Sequence, residues 1–173
     1  MENKKTIFTI DSNSIITPYK RYYPFDLAPN FWKFMESKIA EGTVVLMDKV
    51  YEELVVGGDE LTDWLLGIEI NPVNHKNPDV IKKYGEILAY IQTCGYYKSK
   101  ALTEWADIRV ADPWIVASAN IFGHTVVTFE EPNGNLSKGS PCSRPKIPEI
   151  CKVFNVNCTN LFDMMRKLSF DIF

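Results

Sequence analysis

A chain of 173 residues, 46 % hydrophobic and 24 % charged, carries enough apolar material for one sizeable core and not for two. Its 22 acids against 19 bases leave a net charge of −3, so contact with a polyanion has to come from a local basic patch, not from the overall field. No apolar run reaches the roughly 18 residues of a membrane-spanning helix, and the polar start MENKK passes into a short apolar run without a small-residue cleavage site. The expectation is a single cytoplasmic domain over 1–173 with no membrane partner.

TIFTI, residues 6–10, is β-branched and aromatic and reads as a buried strand that stops at Asp11. NFWKFMESKIAEG follows as a helix, with Asn30 as N-cap, Phe31, Phe34, Met35 and Ile39 inward and Gly42 as the stop. TVVLM, 43–47, is a second strand, and Asp48 opens a helix with Val50, Tyr51, Leu54 and Val55 on one face. NPDVIKKYGEILAYIQTCG is the longest predicted helix, with Val80, Ile81, Tyr84, Leu88 and Ile91 at helical spacing. ADPWIVASANIFG predicts another, with Asp112 as N-cap, Pro113 at the first helical position, Ile115, Val116, Ala119 and Phe122 inward, and Gly123 as the stop. TVVTF, 125–129, is a third strand. The stretch from Glu130 to Pro148, rich in Gly, Pro, Ser and Asn, reads as a long loop. Val156–Cys158 and a helix capped by Thr159, with Leu161, Phe162, Met165 and Leu168 inward, close the pattern.

Cys94, Cys142, Cys151 and Cys158 contain no CxxC pair, and His75 and His124 are the only histidines, so the cysteines read as free thiols of a reducing compartment instead of zinc ligands. Strands apolar on both faces, alternating with helices, predict an α/β fold: a three-layer α/β/α sandwich with a mostly parallel central sheet. In such folds the ligand crevice lies at the carboxyl ends of the strands. Asp11, Glu52 and Glu53, Asp112 and Glu130 all map to that edge. Taken singly, each has an ordinary explanation as a helix cap, a solvated side chain or a loop charge. Together they repel: two carboxylates about 4 Å apart cost roughly 4 kcal/mol at an effective dielectric of 20. Within these stretches Lys49 and Arg109 are the only cations. A hard divalent ion, Mg2+ or Mn2+, is the natural partner for such a set of oxygens, and it suits phosphodiester hydrolysis. Phosphate-loop, dinucleotide-binding, nucleophile-elbow and HExxH motifs are missing.

The strand ending IDSN, the acid in VYEEL, and above all ADPWIVASANIFGHTVVTFE resemble the PIN domain, and more narrowly the PIN-like proteins of uncharacterised families. The resemblance runs from Thr6 to about Leu168. It implies a metal-dependent ribonuclease, and many family members are toxins of type II toxin–antitoxin pairs held inactive by a small antitoxin. It implies Asp11 and Asp112 as the primary catalytic metal ligands. Glu53 is the third acid with Glu52 as its rival, because one residue turns a helical side chain by about 100 degrees. Glu130 stands where many members have aspartate, so it ligates directly or through water. Asn13 and Thr128 would hydrogen-bond the ligands or a water from behind, and Asp107 is a further acid nearby.

From Pro132 to Pro148 the loop, which leaves directly from Glu130, holds Lys138, Arg144 and Lys146 and no acid, which suggests a track for an RNA backbone. The aromatic residues from Trp64 to Trp105 read as core or as a helix-paired homodimer face more readily than as base-stacking platforms. Two other functions compete with the nuclease: a catalytically silent PIN-like RNA-binding or regulatory module, and a phosphohydrolase using Asp11 as nucleophile. The latter wants a second aspartate where Asn13 stands.

Overall fold

The computed structural model describes residues 5–171. The polar start at 1–4, and with it both extremities of the expected 1–173 domain, lie outside the described residues. Phe8–Ile10 (β1), Val44–Val45 (β2), Thr125–Val127 (β3) and Cys158–Thr159 (β4) form one sheet in the order β2-β1-β3-β4, and every neighbouring pair is parallel. Parallel neighbours require crossovers, which helices supply here. The predicted α/β architecture is therefore present, with β1 and β3 central and fully buried.

The helices are Asn13–Thr17 (α1), continued by a π-helical turn at Pro18–Tyr22, then Pro29–Ala40 (α2), Asp48–Val55 (α3), Glu60–Leu66 (α4), Pro78–Thr93 (α5), Ser99–Trp105 (α6), Asp112–Phe122 (α7), Ile147–Val153 (α8) and Leu161–Lys167 (α9). α7 is buried on nearly every side from Pro113 to Ala119, because its run of small and branched apolar residues leaves no polar face. It ends at Gly123, whose φ of 70° is the left-handed value a residue without Cβ adopts most cheaply.

Several predicted details shift. Asp112 is the first residue of α7 and Ala111 is its cap. Asn30 lies inside α2, which starts at Pro29, and α9 is capped by Asn160, whose side chain accepts from the Asp163 N–H at 2.9 Å. β4 runs from Cys158 to Thr159 and not from Val156 to Cys158, because Val126 and Val127 pair with Cys158 and Thr159. Ile81 and Phe122 face outward, at 47 % and 41 % exposure, while Ile87 faces the core. α1, α4, α6 and α8 are too short to show two turns of periodicity, and α8 begins inside the stretch read as loop. In the aromatic region from Trp64 to Trp105, Tyr97 and Trp105 are buried in the core, and Trp64, Tyr84, Tyr90 and Tyr96 pack against it half-buried. All four cysteines are free thiols. Among the described residues no helix is long and apolar enough to cross a membrane.

Candidate active site

β1 ends where the Asp11 N–H reaches across to the Val127 carbonyl at 2.9 Å, and α1 begins at once with the Ser14 N–H on the Asp11 carbonyl. The chain thus turns sharply at the carboxyl edge of the sheet and leaves the Asp11 side chain inside it, 3 % exposed. Thr128, just past β3, donates its hydroxyl to Asp11 Oδ2 at 3.0 Å, and Ser12 donates its hydroxyl to Oδ1 at 3.5 Å. Burial raises the Asp11 carboxyl to about 6; the Thr128 hydrogen bond opposes this, and the charges of Glu130 and Glu53 add to it.

Asp112 enters from α7 and is pushed further, to about 7, first by burial and then by Asp11, Glu130 and Glu53, with Arg144 pulling the other way. It accepts no hydrogen bond from any described side chain or backbone donor. Asp11 is therefore a buried acid steadied by two hydroxyls, and Asp112 a half-buried one whose cost of ionisation the Asp11 charge increases.

The other predicted residues divide. Glu53 is exposed on α3, yet its charge reaches both aspartates. Glu52, its rival, turns away and pairs with Lys49 at 3.0 Å. Asp107 is held by Arg109 through two nitrogens, which brings its carboxyl down to about 2 and takes it out of the cluster. Asn13 is exposed at the start of α1 and bonds none of the acids; Ser12, which the sequence reading passed over, does so instead. Thr128 stands where the resemblance put it, and also accepts the Glu130 N–H at 3.1 Å.

Glu130 brings the largest correction. The sequence shows no loop cation beside it, but the fold returns Lys146 to within 2.8 Å of Glu130 Oε1 and the Ile147 N–H to 2.8 Å from Oε2. One carboxylate thus anchors the start of α8. Glu149, one turn on, is buried and accepts from the Lys146 N–H, the Asn133 N–H and the Tyr97 hydroxyl. These two acids hold both ends of the 131–146 loop. Of the three cations proposed as an RNA track, Lys146 is spent on Glu130, Lys138 lies over the Tyr96 ring at 5.7 Å, and the exposed Arg144 acts on Asp112.

Two clefts flank this edge, one of about 340 Å3 lined by Lys49, Glu52, Glu53, Val56 and Arg109, the other of about 190 Å3 bordered by Thr128, Glu130, Pro148 and Thr159. A larger cavity of about 640 Å3 runs along the outer edge of β2, but the one acid in its lining is Glu69, so the chemistry lies elsewhere. Among the described residues no three carboxylate, imidazole or thiol groups converge to ligation distance as the side chains lie. The acids nonetheless act on one another through space, and Asp112 has an unbonded carboxylate. The donor chemistry fits a hard divalent cation on Asp11 and Asp112, with the exposed arm of Glu53 as the third group and Glu130 paired with Lys146.

The fold is a PIN-like α/β fold whose parallel sheet brings several acids to its carboxyl edge. The chain belongs to the family described as a domain of unknown function, DUF4411, which matches residues 8–172. No curated protein matches it in sequence. Among solved structures it is similar to a chain of VapBC2 from Rickettsia felis, crystallised bound to a DNA fragment from their promoter. That match has a TM-score of 0.53 and covers 90 % of this chain and 98 % of the other, at 13 % identity, so it bears on the fold alone.

Proposed function

We propose that this protein is an Mg2+- or Mn2+-dependent endoribonuclease, and that it works as the toxin of a type II pair with a small antitoxin as partner. The observation that carries the nuclease reading is the pair of acids at the carboxyl edge of the sheet, Asp11 buried and Asp112 half-buried, each raised by burial and by neighbouring carboxylates. Asp11 and Asp112 would hold the ion, with Glu53 closing on it. When bound, such an ion supplies positive charge to the phosphate oxygens and acidifies an attacking water. Thr128 and Ser12 fix the Asp11 carboxylate in one orientation. Arg144 offers its guanidinium to the phosphate backbone, and Lys146 and Lys138 supply further charge once they leave Glu130 and Tyr96. The reading of a paired protein is supported by the neighbour, VapBC2, crystallised bound to a DNA fragment from their promoter. A homodimer belongs to the same proposal, tested by light scattering.

Cleavage of a mixed, end-labelled RNA pool with Mn2+, with Mg2+ and with EDTA, beside Asp11→Asn and Asp112→Asn, tests the reading. Metal-dependent cleavage lost in both variants supports it; wild type and variants behaving alike overturns it. The second reading, a silent regulatory module, has one observation in its favour: the Lys146–Glu130 ion pair takes the fourth acid out of use. Mn2+ binding without cleavage of any RNA favours that alternative.

A further inference from the structure

The helical run after Asp11 ends in a π-helical turn, Pro18–Tyr22, closed by the Tyr23 N–H on the Pro18 carbonyl at 2.7 Å. Such turns are rare and cluster at functional positions, because the widened backbone re-aims the side chains that follow. Here it splits a set of tyrosines. Tyr19 packs edge-on against Phe25 and Trp32, and Tyr23 stacks on Phe31 at 4.4 Å, so both face α2. Tyr22 goes the other way, to Phe129 at 6.2 Å and Phe162 at 6.0 Å, and Phe129 and Phe162 meet each other at 5.7 Å.

The position of this triad matters more than its packing. Phe129 lies between Thr128, which holds Asp11, and Glu130, while Phe162 opens α9 just past the carboxyl end of β4. Tyr22 therefore stands on the same edge of the sheet as the carboxylates. The residue is 50 % exposed although two aromatic neighbours touch its ring, and its hydroxyl makes no hydrogen bond among the described residues. Lys20 and Arg21, immediately before it, are exposed and form no ion pair among the described residues. A half-exposed tyrosine braced from behind and preceded by two free cations is the pairing that single-strand binding uses: a π-face for a base and charge for its phosphate.

We propose that Tyr22, braced by Phe129 and Phe162, is a stacking platform for one base of single-stranded RNA entering the carboxylate site, with Lys20 and Arg21 on the adjoining phosphates. The inference rests on the RNA-directed reading above and names the subsite that reading lacks. The platform takes an unpaired base of any identity, since every base has a π-face, and rejects duplex, whose bases are already stacked.

The test compares a labelled hexauridylate with a hexamer of the same ribose-phosphate backbone without bases, bound in EDTA and low salt and followed by anisotropy. Wild-type protein is expected to favour the base-bearing hexamer about tenfold, a stacking contribution of ordinary size. Tyr22→Leu should abolish that preference and Tyr22→Phe should keep it. No preference in the wild type, no binding of either hexamer, or a preference that survives Tyr22→Leu overturns the platform. Should Tyr22→Leu lower the melting midpoint, photocrosslinking of wild-type protein to a 4-thiouridine hexamer decides instead: crosslinks at Tyr22 support the platform, and crosslinks only elsewhere overturn it. RNA left uncleaved under every metal, with the Tyr22-dependent preference intact, removes the nuclease and leaves the platform. Cleavage without that preference does the reverse.

Discussion

Glu130 and Asp112 stand at the same edge of one sheet, but Glu130 is met by an ammonium and a backbone N–H, each at 2.8 Å, while Asp112 accepts no hydrogen bond from a described donor and is pushed to about 7. The difference separates an acid used to build the fold from acids kept for something outside it. A carboxylate with internal partners is stable without a ligand. Acids such as the buried Asp11 and the half-buried Asp112 cost free energy in the folded state at neutral pH, and such a cost persists at sites where a bound cation or substrate removes it.

The largest effect expected from breaking this contrast is on chemistry. Asp112→Asn removes the charge that an ion would use and should lower Mn2+-dependent RNA cleavage on the order of 100-fold or more, as should Asp11→Asn. The same substitutions should make the metal-free protein more stable near pH 8. Loss of cleavage together with loss of stability would mean that Asp112 is a structural residue like Glu130.

The next effect is on the pH dependence of stability. Both aspartates are raised in the folded state, to about 6 and about 7, above the unfolded value of 3.8. The folded protein therefore holds more protons than the unfolded chain through this range, so stability present in acid is lost as pH rises through 6 and 7. Between pH 5 and 8 Asp11 contributes about one unit of this and Asp112 about two, on the order of 3–4 kcal/mol for the pair before their coupling is considered. Urea denaturation in EDTA at the two pH values checks the slope. Mn2+ should flatten it, and so should Asp112→Asn; an unchanged slope in Asp112→Asn would remove Asp112 as its source.

Lys146→Met attacks the other side of the contrast. It leaves Glu130 partly buried with only the Ile147 N–H, and should cost about 1–3 kcal/mol, visible in the denaturation midpoint. Added Mn2+ should recover part of that cost if the freed Glu130 turns towards the cluster. A midpoint that does not move would mark the Lys146 contact as energetically idle.

The sheet, its parallel sense and the long helices α2, α5 and α7 were readable because they are signalled by runs of β-branched residues, by helical spacing and by glycine stops. The carboxylate edge was readable for a related reason: strand and helix ends are visible in sequence, which placed Asp11, Asp112 and Glu130 on one edge, whereas Thr128 came only with the family resemblance. What was illegible depends on separation along the chain. Lys146 lies 16 residues beyond Glu130 in a stretch with no periodicity, and no local pattern announces that the loop folds back to pair them. Asn13 and Ser12 differ by one position at the start of a five-residue helix, too short to fix which side chain turns inward. Tyr22 was hidden for the same reason, since a π-helical turn has no sequence period to detect.

The smallest effect concerns Glu52 and Glu53, neighbours whose roles only the helix phase distinguishes. Glu53 contributes to the raised state of both aspartates, while Glu52 spends its charge on Lys49 at the surface. Such an exposed pair is worth little, so Glu52→Gln should change Mn2+ affinity less than about twofold in titration calorimetry. Glu53→Gln should weaken the affinity several-fold and, with the metal removed, ease ionisation of the two aspartates by lifting one repulsion. Equal effects of the two substitutions would show that α3 presents both acids to the ion, and the distinction between spent and held carboxylates would then rest on Glu130 and Asp112 alone.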